Sequence, residues 1–150
     1  MIKAIFVARE NKGQQFQVDF ADLVQGKGIV GDRNFAKSKW PGQNITLIEI
    51  EEIENYNEKF AQSIGLSDTR RNIVTQGIRL NELVGKEFRF GEVVLKGVEL
   101  CEPCSIFGKL LENEVMNKND VVKAFLHKGG LRADVVSCGR IFVHMQFEKV

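Results

Sequence analysis

Glycines set between short β-prone runs constrain this chain more than any other feature. Residues 71–75, 87–90, 93–100, 131–137 and 140–147 carry β-branched or aromatic side chains and are bounded by Gly77, Gly85, Gly91, Gly97, Gly130 or Gly139. Residues 2–8 and 44–48 read the same way. Strands this short, punctuated this often, suit a barrel better than a layered α/β sheet. The expected fold is therefore mainly β (α+β): a β-barrel with a few short helices.

The helices have their own period. From Glu49 onward, Ile50, Ile53, Tyr56, Phe60 and Ile64 recur at helical spacing with Glu and Lys on the opposite face, and Gly65 is placed to end the segment. A short helix is expected over residues 105–112. Another is expected over 120–126, with Asn119 or Asp120 as N-cap and Gly129-Gly130 behind it. No repeat, low-complexity tract or linker interrupts the 150 residues, so residues 1–150 are expected to form one domain.

Charge excludes some functions. With 21 basic and 20 acidic residues the net charge is +1, which gives no bulk field for nucleic acid or a membrane surface. The apolar start is short, no stretch approaches the ~18 apolar residues of a membrane span, and a cytoplasmic protein is expected. Three cysteines, two of them three residues apart, do not form a disulfide framework.

Chemistry concentrates where the run 93–100 passes into Cys101-Glu102-Pro103-Cys104 and then an apolar helix. This order places Cys104 near a helix N-terminus, where unpaired N–H groups favour a thiolate that serves as nucleophile or metal ligand. Three other readings stand beside it. Both cysteines can be small core fillers. They can form half of a zinc site, although Cys138, His127 and His144 supply no partner pair at ligand spacing. They can form a thiol–disulfide pair, although that motif belongs after the first strand of a βαβ unit.

Three polar segments fit an anionic ligand: the glycine-rich stretch from Gly26 to Arg33 that includes Asp32, the run Arg70-Arg71-Asn72, and Lys128-Gly129-Gly130-Leu131-Arg132. Glycines admit a phosphate close to backbone N–H groups and arginines grip it with two donors. Each segment alone also reads as a tight turn flanked by solvated arginines. Trp40, beside Pro41-Gly42, reads as a packed loop anchor, and His127 and His144 read as structural.

In this order the motifs resemble the molybdenum cofactor sulfurase C-terminal (MOSC) domain family. The resemblance rests on Gly28-Ile29-Val30-Gly31-Asp32, Asn44-Ile45-Thr46-Leu47-Ile48, Arg71-Asn72-Ile73-Val74-Thr75-Gln76-Gly77-Ile78, Leu100-Cys101-Glu102-Pro103-Cys104 and Gly129-Gly130-Leu131-Arg132-Ala133. It implies a β-barrel and a cysteine, here Cys104, that ligates the molybdenum of the pterin cofactor or carries sulfur destined for it. Cys101 would be its neighbour in the chemistry. Arg71, Asn72, Arg132, Asp32 and the backbone of Gly129 and Gly130 would hold the cofactor. The chain departs from many relatives in having Arg33-Asn34 where a histidine follows Gly-Asp, and its last strand lacks a common Gly-Asp ending.

Family members include cofactor sulfurases and reductases of N-hydroxylated compounds. The length leaves no room for a pyridoxal-phosphate desulfurase domain, so no pyridoxal phosphate is expected, and no cysteine cluster for an iron–sulfur centre is present. A sulfur-donor or electron-donor protein, or a cofactor-dependent enzyme, is the expected partner.

Overall fold

The strand Ile2–Ala8 (β1) organises the fold because both of its faces are covered. Ile2, Ile5 and Val7 point into one apolar core while Ala4 and Phe6 point into another, which explains a run with little polar alternation. The computed structural model describes all 150 residues. After β1 come β2 (Gln15–Val18), β3 (Phe20–Val24), β4 (Gly28–Ile29), β5 (Ile45–Glu49), the helix α1 (Ile50–Phe60) and β6 (Ile73–Thr75). A 3₁₀ turn over Leu80–Leu83 leads to β7 (Glu87–Phe90), β8 (Val93–Leu100), α2 (Ser105–Leu111), α3 (Lys118–Ala124), β9 (Leu131–Val135), β10 (Gly139–Phe142) and β11 (Phe147–Lys149).

Eight strands form one curled sheet in the order β11-β7-β8-β9-β5-β6-β1-β2, and a three-stranded sheet, β10-β3-β4, faces it. The result is a mainly β fold with a half-barrel sheet and three short helices, as the glycine spacing predicts. Neighbours pair antiparallel except β5 and β6, which run parallel because α1 carries the chain between them. Twenty buried residues fill the space inside the sheets, including Phe88, Phe90, Leu95 and Ile141. Twelve more lie outside it, where Ile48 and Val74 meet the helices. Each fully buried Ile, Leu or Phe contributes roughly 1.5–3 kcal/mol relative to exposure, so two cores sharing β1, β5 and β6 lock those three strands most firmly.

The helices differ in detail from their sequence patterns. Helix α1 buries Ile50, Ile53 and Tyr56 but stops at Ala61, which turns left-handed at φ 52°, instead of running to Gly65. The side chain of Asn57 causes the stop: it donates to the Ile64 carbonyl at 3.0 Å and accepts the Ile64 N–H at 3.0 Å, drawing the chain off the helix axis. Helix α3 starts earlier than expected, capped by Asn117 in a reciprocal box with Asp120. Phe125 packs tilted against Tyr56 and edge-on against Phe107, with centroids 4.6 and 5.0 Å apart, and joins the three helices.

Residues 140–147 form two strands and not one. β10 joins the small sheet against β3, β11 joins the large sheet against β7, and the break between them holds His144 at φ 74°. Strands β2, β3 and β4 had no counterpart in the sequence pattern. Trp40 is not a packed anchor: it is 64% exposed, and the turn that carries it is held instead by hydrogen bonds to Gln43 and Asp134. No helix is long and apolar enough to cross a membrane.

Close approach at Gly97 aims β8 at the site. A Cβ there would collide with the Leu83 carbonyl oxygen, and the β8–β9 register slips between Gly97 and Glu99. That bulge redirects the end of β8, which continues into Cys101.

Candidate functional site

The segment from Cys101 to Cys104 is bolted to the floor of a cleft. The Cys101 N–H donates to the Gly130 carbonyl at 2.7 Å, and its own carbonyl accepts Nη2 of Arg71 at 3.2 Å. Cys101 is 2% exposed, whereas Cys104, the residue before α2, is exposed; neither is in a disulfide. Of these two, only Cys104 offers its sulfur to a ligand in solution.

Arg71 is the clamp. Beyond Cys101 it donates Nε to the Gly129 carbonyl at 2.9 Å and Nη1 to the Thr69 carbonyl at 3.3 Å, and its guanidinium lies 5.0 Å from the Phe107 ring centroid. Burial holds this guanidinium below the usual arginine range; the Cys101 and Cys104 sulfurs oppose that shift and nearby Arg132 reinforces it. An arginine remains charged even so. A buried cation surrounded mainly by carbonyls favours an anion in the space above it.

Arg70 reaches the same space because its backbone is left-handed at φ 58°, so that successive residues do not alternate sides. Its Nη2 is buried without a hydrogen-bond partner. Burial, then the charge of Arg33, push the Arg70 guanidinium down, with Asp32 opposing. A strained, orphaned donor in a cleft is a familiar mark of a binding position.

The cleft encloses about 220 Å³ and adjoins a second polar lobe of about 150 Å³, the two sharing Asn34, Thr46, Asn72 and Arg132. Arg33, Arg70, Arg71 and Arg132 line the main lobe and Lys37 the second. The carboxylates facing them are engaged. Asp32 accepts the Ala8 N–H at 3.0 Å and the Asn34 N–H at 3.2 Å, and Glu102 accepts the backbone N–H of His127 at 2.7 Å and pairs with its Nδ1 at 2.8 Å. A chain of net charge +1 thus concentrates cations beside one exposed thiol. The Arg132 guanidinium has one ion-pair contact, Glu99 at 3.8 Å, and no hydrogen bond engages its donors.

Asn72 is a strand staple. Its Oδ1 accepts the N–H and hydroxyl of Thr46 at 3.1 and 3.2 Å, and its Nδ2 donates to the Phe6 carbonyl at 3.2 Å, which fastens β1, β5 and the entry to β6. The structure brings Cys101, Cys104, Arg71, Asn72, Arg132 and Asp32 around one cleft. It places Gly129 and Gly130 beneath that cleft. Both are buried, and a Cβ would strike the Cys101 carbonyl oxygen at Gly129 or the Leu47 carbonyl oxygen at Gly130. Their glycine identity serves chain packing. Arg70 was expected at an anionic ligand as part of the run Arg70-Arg71-Asn72, although its left-handed conformation leaves no mark in sequence. Lys37 and Thr46 were not singled out as ligand contacts.

No group of three or more His, Cys, Asp or Glu side chains is placed to hold a metal ion. A metal here needs most of its ligands from elsewhere.

The fold and site define a small half-barrel domain with one exposed cysteine beside an arginine-lined cleft. The sequence matches the MOSC domain family over residues 26–146, and the chain belongs to that family. No curated protein matches it. Among solved structures, the YuaD protein of Bacillus subtilis superposes with a TM-score of 0.85 at 20% identity, covering 98% of this chain and 93% of that one. YiiM from Geobacillus stearothermophilus gives 0.75 at 14%, covering 100% and 75%. YiiM from Escherichia coli gives 0.71 at 16%, covering 99% and 69%. At these identities the likeness establishes the fold.

Proposed function

We propose that this domain binds the molybdenum–pterin cofactor, with Cys104 as the protein's sulfur ligand to the metal or as carrier of the sulfur transferred to it. The observation that carries the reading is the exposed Cys104 beside Arg33, Arg70, Arg71 and Arg132 in the lining of one cleft. The cofactor fits this donor set because its pterin brings ligands for the metal, which this chain lacks as a cluster. Its phosphate is an anion suited to arginine forks. When bound, the cofactor supplies a redox-active metal.

The chain's own residues divide the work. Arg70 and Arg132 donate to the anionic group through unspent N–H donors, and Lys37 and Arg33 add positive potential. Arg71 holds the Cys101–Cys104 backbone in place, with Gly129 and Gly130 providing the clearance. Asn72 and Asp32 hold the strand and loop that form the opposite wall. Cys104 presents a soft sulfur ligand for a high-valent metal, or the sulfur that carries a persulfide.

A second reading makes the same site a reductase of N-hydroxylated compounds, with electrons from a partner protein. The openness of the cleft beside Cys104 to solvent favours it. To test cofactor binding, the chain is purified anaerobically from a cofactor-producing host, oxidised, and assayed for pterin fluorescence. The proposal expects bound pterin in the native chain and a large loss in an Arg70→Ala/Arg132→Ala variant. Absence of pterin from the native chain overturns it. Turnover of an amidoxime with an artificial electron donor selects the reductase, and transfer to an apo-enzyme without turnover selects the carrier.

A further inference from the structure

Trp40 stands outside the cysteine cleft, on a turn built to hold it rigidly. Gln43 Oε1 accepts the N–H of Lys39 at 2.7 Å and that of Trp40 at 3.4 Å, while the Gly42 N–H donates to Asp134 Oδ1 at 2.8 Å. Gly42 adopts φ +91° and packs so tightly that an added Cβ would sit 3.3 Å from Val98 and 3.4 Å from Arg132. A large apolar side chain that is 64% exposed on so fixed a support contributes little to folding. The backbone that presents it is fixed in advance, which lowers the entropy lost on binding.

The indole borders an open hollow of about 550 Å³, within the range of small-molecule sites. Pro41 and Val136 give it apolar walls, and Lys39 and Lys96 add two cationic side chains to its lining. Asp134 is the one carboxylate in the lining, and one of its oxygens is spent on Gly42. We propose that this hollow binds a planar heteroaromatic ring bearing an anionic group, of the nucleoside monophosphate type. The ring stacks on Trp40 and the anion meets Lys39 and Lys96. An aromatic face accepts any planar π system, and the lysines select those that carry negative charge. An open depression with only two lysines in its lining, in a chain of net charge +1, suits a small ligand better than a nucleic-acid strand, which needs a basic track. The inference does not depend on the cofactor reading, because the hollow's lining contains neither cysteine of the cleft.

Trp40 is the only tryptophan in the chain, so its fluorescence reports this hollow alone. Adenosine monophosphate titrated into the full chain is expected to quench it saturably, adenosine more weakly, and inorganic phosphate not at all. Calorimetry on Trp40→Ala should show affinity lower by about tenfold, the loss of one stacked base, with an unchanged melting temperature. Lys39→Ala/Lys96→Ala should bring adenosine monophosphate down to the affinity of adenosine. Absence of saturable quenching by adenosine or uridine monophosphate overturns the proposal, as does unchanged affinity in Trp40→Ala. Length-dependent, tighter binding of a single-stranded oligonucleotide overturns the mononucleotide assignment.

Discussion

Replacing Arg71 with alanine tests whether the Cys101–Cys104 segment is held as described. The substitution removes three donors from the carbonyls of Gly129, Thr69 and Cys101, together with the contact over Phe107. Hydrogen bonds from a charged donor contribute about 1.5–3 kcal/mol each. Against this, desolvating a mostly buried guanidinium costs several kcal/mol. Because truncation leaves carbonyls short of a donor, the net loss should be about 2–4 kcal/mol. For a domain of this size that lowers Tm by about 6–12 °C. Urea denaturation should show a lower midpoint at constant slope. Thiol labelling adds a local readout: the native fold exposes Cys104 and Cys138, and Arg71→Ala should make Cys101 reactive as well. A variant within about 0.5 kcal/mol of the native chain, with Cys101 still silent, would refute the clamp.

Gly130→Ala forces a Cβ onto the Leu47 carbonyl at φ +108° and should cost more than about 3 kcal/mol or prevent folding, read as loss of soluble protein or of its thermal transition. Glu49 is held above the ordinary carboxylate range by burial, despite Arg79 at 3.0 Å and the Leu80 N–H at 3.1 Å. The folded chain therefore binds this proton more tightly than the unfolded one, and the associated stability is present at low pH and lost as pH rises through the folded pKa. Glu49→Gln should consequently gain stability relative to the native chain from pH 5 to pH 8, measured by urea midpoints; a difference that stays constant or shrinks contradicts this. Asn117→Ala removes the cap of α3 and should cost about 1 kcal/mol in the same assay.

What could be read from sequence follows from how local each signal was. β1, β7 and β8 show as apolar or alternating runs because their burial is regular along the strand. β2 does not, since it forms a sheet edge and buries little. The run 140–147 looks continuous because the residue that breaks it, His144, adopts a left-handed conformation without being glycine. At the site, Cys104 was legible because a strand, a cysteine pair and a helix follow one another directly. Arg71 was legible as a cation but not as a clamp, because its acceptors lie as far as 58 residues away. Gly129 and Gly130 illustrate the remaining ambiguity: glycine marks close backbone approach equally for a ligand and for a neighbouring chain segment, and here a neighbouring segment fills that place. Family resemblance, not residue pattern, supplied the cofactor.

The central claim is that Cys104 anchors the molybdenum of a bound cofactor or the sulfur passed to it. Elemental analysis of protein purified anaerobically from a cofactor-producing host, native against Cys104→Ser, tests it most directly. The account predicts near-stoichiometric molybdenum in the native chain, lost in the variant if the sulfur ligates the metal, or retained with loss of a Cys104 persulfide if it carries sulfur. Native protein without molybdenum contradicts it.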